Sequence, residues 1–334
     1  MIAFFETAAW EWRFLTNALK RLRLAAMFVS EPLTEETLAK ARQATMVSVF
    51  IYSRLTRAVL GKLRRLKFIA TRSTGFDHID LAACKARNIP VSNVPAYGEN
   101  TVAEHTFALI LSLSRNVHKA YVRTARGDFS LQGLQGFDLK GKTIGVIGAG
   151  RIGLHVIKMA KGFGMDVLVR DTRRDVFLSE VLGFRYASLP ELLQRSDIVT
   201  LHVPYSPATR HVMNRDTFRM MKRGALLINT ARGGLIDTNA LVWALDEGIV
   251  GGAGLDVLEG EDLVKEERQL LQADFPKERL ITALKNHILL HRENVVITPH
   301  IAFDSREALQ RILETTVGNI AGFVNRAPVN LVSA

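Results

Sequence analysis

The sequence has a single cysteine, Cys84, among its 334 residues. One thiol cannot form an internal disulfide or a cysteine cage for zinc, so this composition excludes a disulfide-stapled fold and agrees with a reducing compartment. No apolar run approaches the ~20 residues that a membrane-spanning helix requires. The first residues, MIAFFETAAWEWRF, contain no basic residue before Arg13 and no signal-type apolar block. These absences predict a cytoplasmic protein with no membrane partner.

Low-complexity tracts, fixed-period repeats and Pro/Ser-rich linkers are absent as well, which predicts domains joined by structured segments. Hydrophobic residues make up 48% of the chain and charged residues 23%, enough to bury a full core. At a typical domain size of about 150 residues, the length favours two domains. The net charge of +11 comes from short basic clusters interleaved with leucines, and no nucleic-acid-binding motif accompanies them. The sequence therefore predicts no nucleic-acid partner.

Short β-rich runs alternate with helical stretches along nearly the whole chain, the pattern of βαβ units that build parallel sheets. In the first hundred residues we expect five or so strands, among them 2–5, 47–52, 68–72 and 91–93. The pattern then restarts and predicts a second, larger sheet of six strands, at 143–148, 165–171, 197–204, 225–230, 251–257 and 294–299. The predicted fold class is α/β, with two doubly wound parallel-sheet domains.

Apolar residues at helical spacing predict one helix over 101–121, long enough to cross from one domain to the other, and another over 305–324. The place of the second helix suggests that the C-terminus returns to complete the first domain. We therefore expect residues 1–100 and 301–334 to form one domain and residues 101–300 to form the other, with a cleft between them.

The first strand of the second sheet ends in a glycine-rich turn, GAGRIG at 148–153, and an amphipathic helix follows. Gly148 would allow the tight turn, Gly150 would let the backbone approach a pyrophosphate, and Gly153 would let the helix pack against the strand. The N-terminus of the helix would offer free N–H groups and a positive dipole end to an anion. In this context the motif predicts a Rossmann domain that binds a dinucleotide.

The next strand ends in Asp171, where a carboxylate can accept hydrogen bonds from the adenosine ribose hydroxyls. A carboxylate there repels the 2′-phosphate of NADP, so Asp171 favours NAD(H) as the cofactor. Arg170, Arg173 and Arg174 surround it. An arginine from this group could pair with a phosphate, which leaves NADP open, or all three could be solvated turn charges.

Three polar residues, Arg232, Glu261 and His300, lie where strands of the second sheet should end, the edge at which open α/β sheets bind ligands. An arginine offers a planar fork to a carboxylate and polarises an adjacent carbonyl. A histidine can exchange the proton that accompanies hydride transfer, and a nearby carboxylate raises its pKa. Each residue taken alone also fits a structural or solvated role. Together they indicate an acid, the group that tunes it, and an anchor for a substrate carboxylate.

Further motifs occur in the same order, namely HVP at 202–204, NTARGGLIDT at 229–238, GLDV at 254–257 and TPHIAF at 298–303. With GAGRIG and Asp171 before them, they resemble the D-isomer-specific 2-hydroxyacid dehydrogenases over about residues 47–323. The segments TRSTGFDHIDL at 71–81 and NVPAYGENTVAEHTFALIL at 93–111 are most similar to the D-lactate dehydrogenase branch. The resemblance implies that residues 1–100 and 301–334 form a smaller, flavodoxin-like substrate domain and residues 101–300 the NAD-binding Rossmann domain.

The resemblance implies reversible, NADH-linked reduction of a small 2-keto acid to the D-2-hydroxy acid, with pyruvate and D-lactate as the preferred pair. Arg232 would hold the carboxylate and carbonyl of the substrate, and His300 would protonate the carbonyl oxygen. Glu261, five residues after Asp256, would pair with His300, and Glu259 is the weaker candidate for that carboxylate. The resemblance also implies a homodimer formed through the coenzyme domains.

The same resemblance assigns binding residues. At the substrate they are Ser73, Thr74 and Gly75, whose backbone N–H groups would hold the carboxylate, Tyr97, which would add a hydrogen bond, and Tyr52 and Phe303, which would enclose the side chain. At the cofactor they are Gly148, Gly150, Arg151, Ile152 and Gly153 at the pyrophosphate, Val203, Pro204 and Thr209 on the adenosine side, and Thr230, Ala231 and Asp256 at the nicotinamide half.

The sequence departs from the family pattern after Glu261, where Asp262 stands in place of a proline that is common in other branches, and the connection to His300 is long. The substrate therefore stays open among pyruvate, glyoxylate, hydroxypyruvate, a bulkier branched or aromatic keto acid, and 3-phosphohydroxypyruvate. A different class of function is an NADH-sensing, corepressor-like binding protein without turnover.

Among the other histidines, His105 and His202 are expected to have structural or cofactor-flanking roles. His78 is expected in a turn, with Asp77 and Asp80 capping the helix that follows. His287 and His291 stand four residues apart on a predicted helix and could meet one metal ion, but no third ligand accompanies them, and we expect no metal.

Overall fold

The structure, a computed structural model, describes residues 1–260 and 277–332. The strands are β1 (Ile2–Phe4), β2 (Ala26–Phe28), β3 (Met46–Val49), β4 (Phe68–Thr71), β5 (Val91–Ser92), β6 (Thr143–Ile147), β7 (Asp166–Arg170), β8 (Arg185–Tyr186), β9 (Ile198–Leu201), β10 (Ala225–Asn229), β11 (Val250–Leu255) and β12 (Val295–Ile297). The helices are α1 (Ala9–Arg21), α2 (Arg57–Lys62), α3 (Leu81–Ala86), α4 (Glu99–Ser114), α5 (Val117–Ala125), α6 (Arg151–Gly162), α7 (Val176–Leu182), α8 (Leu189–Arg195), α9 (Arg215–Arg219), α10 (Thr238–Asp246), α11 (Lys277–Leu290) and α12 (Arg306–Val324).

The chain divides into two compact units, Met1–Tyr97 with Ser305–Ala334, and Gly98–Asp304. We refer to them as unit 1 and unit 2. Within the described ranges, no helix combines the length and the apolar character that crossing a bilayer requires.

Unit 1 is built on a five-stranded parallel sheet in the order β2-β1-β3-β4-β5. This is the flavodoxin-like doubly wound order, in which the strand order reverses between β1 and β3. One face buries Phe4, Leu15 and Leu313 between β1, α1 and α12. The C-terminal helix α12 thus packs within unit 1, where the rings of Phe68 and Phe323 stack 4.4 Å apart.

Unit 2 is built on a seven-stranded parallel sheet in the order β12-β11-β10-β9-β6-β7-β8. Counted from β6, this is the Rossmann order 3-2-1-4-5-6 with one further strand, and it reverses between β6 and β9. Two apolar clusters cover the two faces of the sheet. The prediction of an α/β protein with two doubly wound parallel sheets is therefore confirmed.

Several helices begin at a residue whose side chain accepts a hydrogen bond from a backbone N–H group of the first turn. Such a cap supplies a partner to an N–H group that has none inside the helix. Asp80 accepts from Ala83 N at the start of α3, as its sequence position predicts. Asp237 and Ser305 do the same for α10 and α12. These caps fix where the helices leave the strand-end loops.

Two details of the predicted elements are wrong. The edge strand β8 was not predicted, so the second sheet has seven strands instead of six, whereas the first sheet has the five strands expected, with β2 at its edge. The single helix expected over 101–121 is two helices, because Asn116 adopts a left-handed conformation with φ 52° between α4 and α5. Asparagine tolerates that conformation better than most residues, and it ends the helix there.

Candidate active site

The glycine-rich turn after β6 needs its glycines for steric reasons. Gly148 has φ 101°, and a Cβ atom on it would lie 2.8 Å from the carbonyl of His202. A Cβ atom on Gly153 would lie 2.0 Å from the carbonyl oxygen of Gly148. A side chain at either position would push α6 away from β6, so both glycines keep the helix close to the strand.

Gly150 differs from its two neighbours because it faces open space. It is the N-cap of α6, and a Cβ atom there would meet no heavy atom within 4 Å. The first backbone N–H groups of α6, those of Arg151 and Ile152, follow Gly150 directly in the chain. A helix N-terminus with room in front of it suits a phosphate group, so the turn fits the pyrophosphate of a dinucleotide.

Asp171 follows β7 and is tied to the same turn. Its Oδ2 accepts a hydrogen bond from Ala149 N at 2.7 Å, and its Oδ1 accepts one from Arg173 N at 2.9 Å. Oδ1 also accepts from Thr172 Oγ1 at 3.4 Å, and Oδ2 retains a second lone pair for a ligand hydroxyl. The carboxylate is thus held beside the glycine-rich turn, as an adenosine ribose requires.

Two of the three arginines around Asp171 have partners of their own. The Arg170 guanidinium donates to the Asp171 carbonyl oxygen at 2.6 Å, and that of Arg174 lies over the Tyr186 ring at 5.8 Å. These contacts favour a structural role for Arg170 and Arg174.

The loop after β9 carries the predicted adenosine contacts Val203, Pro204 and Thr209. Thr209 donates to the Pro204 carbonyl at 2.7 Å, which closes the loop on itself. His202 is the first residue after β9. Burial lowers the pKa of His202 to about 3, so its ring is neutral near pH 7. A neutral His202 agrees with the expected cofactor-flanking role better than with proton donation.

Arg232 follows β10 on a tightly packed loop. Asn229 fixes the loop by accepting from Ala231 N at 3.0 Å and donating to the Arg232 carbonyl at 2.8 Å. A Cβ atom on Gly233 would lie 2.1 Å from the backbone of Leu258, so the loop lies directly on the segment after β11. Thr230, just before it, is bonded to Thr106 Oγ1 at 3.0 Å. The backbone that carries the Arg232 guanidinium is therefore rigidly placed.

His300 follows β12 in a left-handed backbone conformation, with φ 58°. Asp256, after β11, holds this loop. Its buried carboxylate accepts from Ile301 N and Ala302 N, both at 2.9 Å, and from Thr298 Oγ1 at 2.5 Å. The Asp256 carbonyl also accepts from His300 N at 2.9 Å. These contacts give Asp256 a positioning role, and its assignment to the nicotinamide half of the cofactor stays a prediction.

His105 on α4 completes the support of the His300 loop. Its Nε2 is 3.0 Å from Thr298 Oγ1 and 3.5 Å from Asp256 Oδ1, which agrees with the structural role expected for it. Burial alone would raise the pKa of Asp256, but the hydrogen bonds from His105, Thr298 and the backbone outweigh it and hold the pKa below its usual range. Asp256 is therefore ionised at neutral pH.

Glu259, the weaker candidate partner of His300, is bonded elsewhere. Its Oε1 is 2.6 Å from His211 Nε2, and its Oε2 accepts from Thr238 Oγ1 at 3.0 Å. Its carbonyl accepts from Asn286 Nδ2 at 2.9 Å. Sequence reasoning missed this His211–Glu259 pair, because the two residues stand 48 positions apart and no motif links them. Glu261 lies outside the described residues, and its role stays a prediction.

The predicted substrate residues of unit 1 lie on loops that follow β3, β4 and β5. Ser73 donates to the Gly75 carbonyl at 2.6 Å, and Thr74 donates to the Val94 carbonyl at 2.7 Å. The hydrogen bonds among the described residues do not use the backbone N–H groups of Thr74 and Gly75. The segment Ser73 to Gly75 can therefore offer N–H groups to a carboxylate. In the third loop, the Tyr97 carbonyl accepts from Arg311 Nε.

The remaining predictions concern Phe303 and the two histidines of α11. Phe303 lies edge-on to the His300 ring, with centroids 6.4 Å apart. The rings of His287 and His291 lie 4.4 Å apart, and among the described residues no group of three metal-ligating side chains is found.

The Rossmann sheet, the glycine-rich turn and Asp171 define a dinucleotide-binding α/β protein. Residues 107–302 match the family described as D-isomer specific 2-hydroxyacid dehydrogenase, NAD binding domain. The chain is 38% identical over 324 residues to a 2-hydroxyacid dehydrogenase homolog from Haemophilus influenzae, which covers 96% of this chain and 95% of that protein. It is 37% identical over 325 residues to the D-lactate dehydrogenase of Escherichia coli (strain K12), with coverage of 96% and 95%.

A solved structure agrees with these relatives. The crystal structure of D-lactate dehydrogenase from Aquifex aeolicus, complexed with NAD and lactic acid, matches with a TM-score of 0.88 and 39% identity, over 98% of this chain and 96% of that one. The chain belongs to the D-isomer-specific 2-hydroxyacid dehydrogenase family, near its D-lactate dehydrogenase branch, and is an NAD-dependent oxidoreductase. The predictions of family, enzyme class and cofactor are confirmed.

Proposed function

We propose that this dehydrogenase reduces pyruvate to D-lactate with NADH. The observation that carries the proposal is the placement of Arg232 and His300 after β10 and β12, the two neighbours of β11, with Asp256 after β11 holding the His300 loop. An anchor for a carboxylate and a proton donor at the same edge of one sheet suit a small 2-keto acid. Similarity to the D-lactate dehydrogenases supports pyruvate among such acids.

The residues of the glycine-rich turn fit NAD(H). In the proposal, the N–H groups of Arg151 and Ile152 hold the pyrophosphate in front of Gly150, and Asp171 accepts from the ribose hydroxyls. Contacts with the rest of the cofactor are assigned to Val203, Pro204 and Thr209 for adenosine, and to Thr230, Ala231 and Asp256 for nicotinamide. When bound, NADH supplies the hydride for the carbonyl carbon of the substrate.

The chain's own residues perform the remaining chemistry. Arg232 binds the substrate carboxylate through its planar guanidinium and polarises the neighbouring carbonyl. His300, as the imidazolium, donates its ring proton to the carbonyl oxygen, so that the keto acid gains one hydride and one proton and becomes the hydroxy acid. We assign Glu261 as the carboxylate that favours the imidazolium, since the carboxylate of Glu259 is engaged by His211.

The loops of unit 1 provide further substrate contacts in this proposal. The backbone N–H groups at Ser73, Thr74 and Gly75 bind the carboxylate, and Tyr97 adds a hydrogen bond. Tyr52 and Phe303 are assigned to enclose the substrate's side chain, as the family resemblance implies. We expect these two aromatic side chains to limit the size of the acid that the enzyme accepts.

The test is NADH consumption by the purified protein with pyruvate, glyoxylate, hydroxypyruvate, phenylpyruvate and a branched keto acid, compared as kcat/KM. Enzymes specific for D- or L-lactate then determine the chirality of the product. We expect the highest kcat/KM with pyruvate and D-lactate as the product. A preference of more than tenfold for another acid would assign that acid instead. Tight NADH binding without turnover on any acid would favour the sensor function.

A homodimer formed through unit 2 and a cytoplasmic location belong to the same proposal. Three large apolar side chains on α5 and the segment after it are mostly exposed, namely Tyr121 at 74%, Phe129 at 78% and Leu131 at 84%. Such a concentration of exposed apolar side chains is typical of a protein–protein interface. We expect light scattering to show a dimer that Phe129→Glu and Leu131→Glu dissociate. Phe177→Glu, at another residue of unit 2 that is 72% exposed, should leave the dimer intact.

A further inference from the structure

Glu6 has an unusual backbone at the end of β1. It takes a left-handed conformation with φ 57°, which is uncommon for a residue with a side chain. Such a conformation persists only where its surroundings hold it, and it is often found at functional sites. Here two contacts hold it, because Glu6 N donates to the Glu31 carbonyl at 3.1 Å and the Glu6 carbonyl accepts from Arg72 at 2.8 Å.

The Glu6 carboxylate organises the loop that carries Tyr52. Its oxygens accept from Phe50 N at 2.8 Å, from Tyr52 N at 2.7 Å and from Ser53 N at 3.2 Å, and also from the Ser53 hydroxyl. Residues 50–53 form neither helix nor strand. One charged side chain therefore binds three of the four backbone N–H groups in this loop and determines its shape.

Arg72 links this anchor to the second substrate loop. Its side chain is 2% exposed and donates to the carbonyls of Phe5 and Glu6 at 2.7 and 2.8 Å. It also donates to Ser48 Oγ at 3.1 Å, and Glu11 lies 3.8 Å from its Nε. A fully buried guanidinium is stable only with such partners. Because Ser73 to Gly75 follow Arg72 directly in the chain, the end of β1 supports both loops.

We propose that Glu6 is a positioning residue that sets the substrate size accepted by the enzyme, by fixing the loop on which Tyr52 stands. This inference rests on the proposed function, in which Tyr52 encloses the substrate's side chain. The Glu6 carboxylate bonds to the loop backbone, so it acts through Tyr52. Loss of its charge would let the loop relax and would widen the space for the substrate.

The experiment compares Glu6→Gln with wild type on pyruvate and on phenylpyruvate. Glutamine has the same size, but its NH₂ group is a donor. It cannot accept the backbone N–H groups that a carboxylate oxygen of Glu6 accepts. We expect kcat/KM for pyruvate to fall about 10- to 100-fold, because small displacements of a substrate-enclosing group have effects of that size. Phenylpyruvate should lose less, so the preference for pyruvate falls, while the NADH dissociation constant stays within about twofold.

A double-mutant cycle separates positioning from general destabilisation. In a Tyr52→Ala background, Glu6→Gln should have little further effect on the preference for pyruvate, since the side chain that it positions is gone. The matched control is Glu35→Gln, which removes an exposed acid of unit 1 that pairs with Lys62 and should leave the preference unchanged. If Glu6→Gln does not fold, Ser53→Ala removes one donor to the same carboxylate and should shift the preference in the same direction.

Hydrogen exchange tests the anchor independently of activity. We expect the amides of Phe50, Tyr52 and Ser53 to lose protection in Glu6→Gln. An unchanged preference for pyruvate in a folded variant, or equal effects with and without Tyr52, would overturn the proposal. If wild type turns over no 2-keto acid, the proposed function falls and the size-setting role falls with it. Lost protection in that case would show that the anchoring contact itself is correct.

Discussion

Replacing Asp256 with asparagine removes the charge that holds the loop of His300. Asp256 is 1% exposed, and its two carboxylate oxygens accept separately from Ile301 N and Ala302 N. Asparagine offers one oxygen and one NH₂ group, so one of these backbone N–H groups faces a donor. Leaving a buried donor unsatisfied costs about 1–3 kcal/mol, and the second bond loses its charge assistance. We expect a total destabilisation of about 2–4 kcal/mol.

The effect should reach activity through His300. Its left-handed conformation is disfavoured by about 1–2 kcal/mol for a residue with a side chain, so a released loop relaxes away from it. We expect kcat with pyruvate to fall about 10- to 100-fold, and Tm to fall about 5–15 °C. Scanning calorimetry and steady-state kinetics measure the two effects. The control is Asp216→Asn, whose side chain is 79% exposed beside Arg219 and should change neither.

The contribution of Asp256 should also depend on pH. Its pKa in the folded protein is lowered, so the stabilisation is fully present above the pKa of the unfolded chain, about 4, and is lost as the pH falls through the folded value. The Tm difference between wild type and Asp256→Asn should therefore be constant near neutrality and shrink below about pH 4. Equal Tm and equal kcat at pH 7 would refute the reasoning. A lower Tm with unchanged kcat would show that Asp256 stabilises the fold without positioning His300.

Three further variants test the site. His300→Ala should lower kcat about 10²- to 10⁴-fold in steady-state assays while Tm stays close to wild type, and retained turnover would remove His300 as the proton donor. Asp171→Ser should weaken NADH binding and raise the ratio of NADPH to NADH use, measured by titration with each cofactor, because the charge that repels a 2′-phosphate is gone. Gly153→Ala places a Cβ atom 2.0 Å from the Gly148 carbonyl oxygen and should weaken NADH binding and lower Tm, whereas Gly162→Ala, on the same helix with no atom within 4 Å, should do neither.

The sequence predicts buried strands well because their residues are apolar without interruption. The strands β6, β9 and β10 consist almost wholly of buried residues, and each falls within a predicted run. The edge strands β2 and β8 are short and only partly buried, so they lack that signal. The split between α4 and α5 was not predicted, since it depends on the backbone conformation of one residue, Asn116.

The candidate site shows a similar division. The strand ends indicate Arg232 and His300 as candidates, because a parallel sheet brings its strand ends to one edge, and the family resemblance supplies the roles predicted for them. The groups that hold the site come from distant parts of the chain, as when Asp256 binds the loop after β12 and Glu6 binds the loop after β3. No spacing rule connects such pairs, because the sheet order and not the sequence order makes them neighbours. Substitutions at these supporting residues should therefore change the kinetics without removing any group proposed to contact the substrate.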